Sequence, residues 1–146
     1  MDLELIFSFA NTTALLCWIF LFVLYHKKWV YKWLFSLVMT FLAVVYLFFI
    51  LKGIGGDADG GFDTLANVKK LFSKDEAVLA GWIHYLVFDL FVGMWICYDA
   101  DLRGINRWIL LPCLLLTFLL GPTGLLLYFL IRLGYLKKFP QSPYEK

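Results

Sequence analysis

GWIHYLVFDLFVG, residues 81–93, is apolar enough to lie in hydrocarbon, yet it carries His84 and Asp89 near its middle. Extended both ways, from Ala77 to Tyr98, the run reaches the roughly 20 residues that a helix rising 1.5 Å per residue needs to cross about 30 Å of bilayer. The rest of the chain agrees with a membrane setting. Of its 146 residues 62% are hydrophobic and 16% charged, and the mean hydropathy is +0.80. Too few charges remain to clothe a soluble domain of this size. The net charge of +2 is small and scattered, which excludes a nucleic-acid footprint. Cys17, Cys97 and Cys113 each lie within an apolar run without C-x-x-C spacing, and read as small buried hydrophobes rather than as metal or disulfide ligands.

Working outward, three further apolar segments join Ala77–Tyr98: Leu5–Tyr25, Trp33–Leu51 and Trp108–Ile131. Backbone groups in lipid must pair within their own segment, so the expected fold is all-α, one membrane domain of four transmembrane helices. Acidic residues precede the first run and no small-residue cleavage pattern follows it, which predicts a retained span rather than a signal peptide. With no transit peptide visible, a bacterial cytoplasmic membrane is the simplest expected home. The six tryptophans fall mostly near predicted span ends, as interfacial anchors do. HKKWVYK (26–32) and DADLRGINR (99–107) are short enough to make hairpins. Lys27, Lys28, Lys32, Arg103 and Arg107 argue for one orientation, and Arg132, Lys137 and Lys138 after a fourth crossing argue for the other.

The longest connection, residues 52–76, begins with a Gly-rich linker in which Asp57, Asp59 and Asp63 faintly echo a calcium loop without its remaining ligands. Phe62, Leu65, Val68 and Phe72 recur at helical spacing opposite Lys69 and Lys70, predicting a short helix on the headgroups. Ser73 to Glu76 matches a capping box for the third span.

A charge at the depth of Asp89 costs about 2.5–3.5 kcal/mol on insertion scales, so its side chain is expected to face the bundle interior. At about 100° per residue Tyr85 and Asp89 share a stripe, whereas His84 lies about 140° from Asp89, which excludes a direct dyad within the helix. Partners must then come from other helices, with Asn11, Thr12, Thr13, Thr40 and Thr117 as candidates. The structural alternative is hydrogen-bonded glue between helices. Pro122 cannot donate to the carbonyl of Phe118, so the last segment is expected to kink or break at Gly121–Gly124, either for close packing or to open a polar cavity with Asp89. Asp99, Asp101, Arg103 and Arg107 read as a solvated hairpin, or as the rim of that cavity.

The run LFSKDEAVLAGWIHYLVFDLFVGMWICYDA, followed by RGI and PCLLLTFLLGPTGLLLY, resembles the abscisic-acid-deficient-four-like family of small multi-span proteins. The likeness covers Lys70–Arg132, under half of the chain, and is dense in G-W-x-H-Y-x-x-F-D-L-F-x-G and G-P-x-G-L-L-L-Y. Plant members are required for making neoxanthin from violaxanthin, an isomerisation that opens an epoxide and releases a proton without net redox change. The resemblance therefore implies a carotenoid or isoprenoid lipid as partner, with His84, Tyr85 and Asp89 as acid and base. Gly81, Trp82, Phe88, Gly93, Thr117, Gly121, Pro122 and Gly124 would line the substrate. No cofactor is implied. The rival expectations are a small proton-linked transporter in which Asp89 titrates, and a noncatalytic assembly partner of a membrane enzyme.

Overall fold

The computed structural model describes residues 2–54 and 60–137, and among these every regular element is helical. The elements are α1 (Leu3–Leu24), α2 (Lys28–Trp33), a π-helical stretch (Leu34–Met39), α3 (Thr40–Ile54), α4 (Leu65–Leu71), α5 (Asp75–Leu102), α6 (Arg107–Leu120) and α7 (Pro122–Leu136). Three uninterrupted helical runs are long and apolar enough to cross a membrane: Leu3–Leu24, Lys28–Gly53 and Asp75–Leu102. In the most apolar window of α5, 56% of residues are buried, against 28% in Leu3–Leu24 and 17% in Lys28–Gly53, so α5 is the most buried of the three runs and the second is mostly exposed. The expected loop before that second run is shorter than its sequence suggested. Helix resumes at Lys28, since none of the residues of KKWVYK breaks one.

The chain divides into two compact units, Met1–Leu15 with Trp33–Phe88, and Leu16–Lys32 with Asp89–Lys146. In the first unit Ala10 and Ala14 of α1, Leu42 and Phe49 of α3, and Leu79, Ala80, Ile83, Leu86 and Val87 of α5 form one buried cluster. The three alanines lack bulk and let neighbouring backbones approach. Helix α4 begins where the Thr64 side chain accepts from the Asn67 amide at 3.2 Å. Its exposed Leu65 and Phe72 fit the predicted apolar face. The capping-box reading of Ser73 fails. Its hydroxyl donates to the Lys70 carbonyl at 2.6 Å, closing the turn behind it, and α5 starts at Asp75. Asp63 accepts from the Asn67 side-chain amide at 3.0 Å, and this bond holds its carboxyl below the usual range. Asp57 and Asp59 lie outside the described residues.

The second unit departs most from the sequence expectation. Residues 108–131 do not form one span. They divide at Gly121, whose φ of 49° and ψ of −102° lie where L residues rarely go, and Pro122 then starts α7 at its first position. Helix α7 folds back along α6: a Cβ on Gly124 would lie 2.1 Å from the Thr117 hydroxyl oxygen and 2.4 Å from the Cys113 carbonyl oxygen. The connections to α5 give the directions. Gly121 lies against Asp89, whereas Tyr128 and Arg132 meet Asp99, roughly 15 Å further along α5 at 1.5 Å per residue. Helix α6 therefore runs antiparallel to α5 and α7 parallel to it, in a re-entrant hairpin. This return carries Arg132 back to the end of α5 that also bears Arg103.

Candidate functional site

The expected site residues fall into two groups, one in each unit. In the first, Trp82 donates its Nε1 hydrogen to Asn11 Oδ1 at 2.8 Å, so Asn11, expected as a partner for His84 or Asp89, serves Trp82 instead. Its ring lies 5.5 Å from Phe7 and 5.3 Å from Tyr85. His84 is exposed, and its ring meets aromatic neighbours. It stacks on Phe88 at 4.4 Å with a 25° interplanar angle and meets the Tyr46 ring at 5.6 Å. Helix periodicity accounts for this, since residues 84 and 88 share a face. Gly81 receives the Phe72 ring, whose nearest atom would lie 2.6 Å from an added Cβ.

In the second unit Asp89 is 8% exposed, turned inward as a carboxyl at that depth is expected to be. A Cβ on Gly121 would lie 2.8 Å from Asp89 Oδ1 and 3.3 Å from Oδ2, so the carboxyl rests on the bare face of that glycine. Gly121 is also the N-cap of the 15-residue α7. The carboxyl thus lies where a helix begins and its first amides are free of intrahelical partners. In its ionised form the carboxyl would gain about 0.3–2 kcal/mol there from charge–dipole attraction, offsetting part of the insertion cost. Pro122 is exposed, and Thr117 is fully buried with its hydroxyl donating to the Cys113 carbonyl at 2.8 Å. Gly93 is filled by Trp18, whose ring would come within 2.4 Å of an added Cβ. The structure therefore joins Asp89 to Gly121, while Thr117, Gly124 and Gly93 serve close packing.

Sequence reasoning missed a buried ionic group. Asp99, read as part of a solvated hairpin or of a cavity rim, is 3% exposed. Its Oδ2 accepts from the Tyr128 hydroxyl at 2.6 Å, both its oxygens accept from Arg103 Nε at 3.0 Å, and Arg132 Nε lies 3.0 Å from Oδ2. Tyr128 and Arg132 are 0% and 1% exposed. The available signal was the pair of i,i+4 spacings, Asp99 with Arg103 and Tyr128 with Arg132, each of which puts two polar groups on one helix face. The three cysteines are free and buried. Among the described residues no three His, Cys, Asp or Glu side chains gather as a metal site would require.

No curated protein and no solved structure gives a match. The family model for ABA DEFICIENT 4-like proteins does match, over residues 5–128, reaching well beyond the motifs of α5 to α7 into the first two apolar runs. With most of its length covered, the chain belongs to the ABA4-like family.

Proposed function

We propose that this protein is a multi-pass membrane protein that binds a carotenoid or related isoprenoid lipid and isomerises it without net redox change, with Asp89 exchanging the proton. The observation that carries the reading is Asp89 itself, a deep carboxyl kept off the protein surface and set against the bare backbone of Gly121 at the start of α7. An acid–base group benefits from a fixed polar neighbour that is ready when its charge appears.

Family membership supports the lipid class. So does the first unit, where Ile6, Phe9, Phe41, Val45, Phe48 and Phe49 line an apolar groove of about 380 Å³, within the range of small-molecule sites. Such a wall suits hydrocarbon or polyene chains and offers nothing to a polar solute.

The test is expression in a host that makes polyenes and prenyl lipids, followed by purification and extraction of whatever the protein retains. Wild type should carry an enriched isoprenoid, and the purified protein should convert it to an isomer of equal mass. Asp89→Asn should retain the lipid and lose conversion. Equal conversion by Asp89→Asn, or no isoprenoid above the level of an unrelated membrane protein, would sink the proposal.

A further inference from the structure

The unit of Leu16–Lys32 with Asp89–Lys146 gathers basic side chains at one end. His26, just past α1, is bonded through Nδ1 to Asp101 Oδ1 near the end of α5, and Arg132, near the end of α7, lies 3.0 Å from Asp99. These contacts bring together Lys27, Lys28 and Lys32, which follow His26, with Arg103 and Arg107 at the α5–α6 turn and Lys137 just past α7. Counting Arg132, seven Lys and Arg side chains stand there against Asp99 and Asp101. Both carboxyls are already engaged, Asp99 by Arg103 and Arg132, and Asp101 by His26. Among the described residues no ion pair holds Lys27, Lys28, Lys32, Arg107 or Lys137. The surplus is positive in either protonation state of His26.

Tyr25, His26, Asp101, Asn106, Arg107 and Trp108 line a recess of about 380 Å³ at this end. Donors outnumber acceptors in it. Arg107 brings its guanidinium and Trp108 its indole N–H, while Asn106, whose Oδ1 accepts from the Trp108 amide at 2.9 Å, keeps its side-chain NH2 to give. The Tyr25 hydroxyl can give or accept, and Asp101 Oδ2 is left to accept. We infer that this recess binds the headgroup of an anionic phospholipid, its phosphodiester oxygens accepting from Arg107, Asn106 and Trp108, with Lys27 and Lys28 adding attraction. A phosphodiester offers one negative charge and only acceptor oxygens, the complement of such a set. In phosphatidylcholine the added quaternary ammonium would meet the surplus of cations, so the net-anionic lipid is selected. The setting fits as well. Trp29, Tyr98 and Trp108 are more than half exposed around this end, as aromatic anchors at headgroup level would be, and basic recesses at that level take anionic headgroups.

The experiment titrates the full chain, purified in a neutral detergent, with phosphatidylglycerol or phosphatidylcholine and reads the first bound lipid by native mass spectrometry. Wild type should bind phosphatidylglycerol at least about fivefold more tightly, the factor to which about 1 kcal/mol per basic residue near a membrane surface corresponds. Arg107→Gln should weaken phosphatidylglycerol about fivefold and leave phosphatidylcholine unchanged. Lys28→Gln, at an exposed position on α2, should act in the same direction and carries the test where Arg107→Gln does not fold. Lys69→Gln removes the same charge from exposed α4 in the other unit and should change neither affinity. Equal affinity for the two lipids, or equal losses in Arg107→Gln and Lys69→Gln, would overturn the inference. So would release of the lipid by glycerol 1-phosphate at the concentration at which phosphatidylglycerol itself competes, because the site would then be one for a soluble anion. None of these outcomes bears on proton exchange at Asp89.

Discussion

Arg132 on α7 brings its Nε to 3.0 Å from Asp99 Oδ2 on α5, with side-chain exposures of 1% and 4%. A pair so far removed from water is more costly to break than to omit, since deleting one partner strands the other charge. Asp99→Ala should therefore destabilise the protein by about 3–5 kcal/mol. Tyr128→Phe removes a single hydrogen bond to a charged group and should cost about 1.5–3 kcal/mol. Unfolding in detergent, followed by circular dichroism, should give this order. The reverse order would show that Tyr128 rather than the ionic pair holds α7.

The re-entrant hairpin makes a topological prediction. Lys28, at the start of α2, and Lys137, just past α7, should face the same side of the membrane. Lys28→Cys and Lys137→Cys should both react with an impermeant maleimide added from one side of sealed vesicles, and neither from the other. Four full crossings would put them on opposite sides.

Three glycines should respond unequally to Ala. At Gly121 both the positive φ and the Asp89 carboxyl oppose a Cβ, and about 1–3 kcal/mol of stability should be lost. At Gly124 the obstacles include the Thr117 amide and the Cys113 carbonyl, backbone atoms that cannot swing aside, so a loss of about 1–3 kcal/mol or more is expected. Gly134 is helical with nothing within 4 Å of a Cβ, and there Ala should be neutral or stabilising by up to about 1 kcal/mol. Thermal midpoints of the three variants, measured side by side, check the ranking.

Asn11→Ala should cost about 0.6–2 kcal/mol through its lost bond to Trp82 Nε1. Phe7 and Tyr85 still hold the indole ring, so the emission of a single-tryptophan protein retaining Trp82 should shift only slightly. A large red shift would show that the hydrogen bond, and not the rings, positions Trp82.

The helical class was legible because lipid leaves the backbone few choices, and the inward turn of Asp89 because an unpaired carboxyl facing hydrocarbon is expensive. The break at Pro122 could also be read from its missing amide hydrogen. The size of the bend could not. A kink and a reversal start from the same dipeptide, and what separates them is whether Gly124 can nest on Thr117 and Cys113, a matter of packing between residues that sequence periodicity treats as parts of one helix. Asp99 was misread for the same reason. Its partners Tyr128 and Arg132 are close only once the chain has doubled back. His84 meets Phe88 and Tyr46 by ring contact, a placement that residue type alone does not give.

The π-helical stretch from Leu34 to Met39 changes which residues of the second run count as aligned. Leu34, Leu42 and Phe49 are all buried, yet on a regular wheel the first two are eight positions apart and miss each other by about 80°. One surplus residue of winding, the hallmark of such a bulge, restores them to a common seam. Removing a single residue from 35–38 should consequently leave α3 in phase with its neighbours, whereas the same deletion inside α3 would rotate everything after it by about 100° and turn Phe49 out of the core.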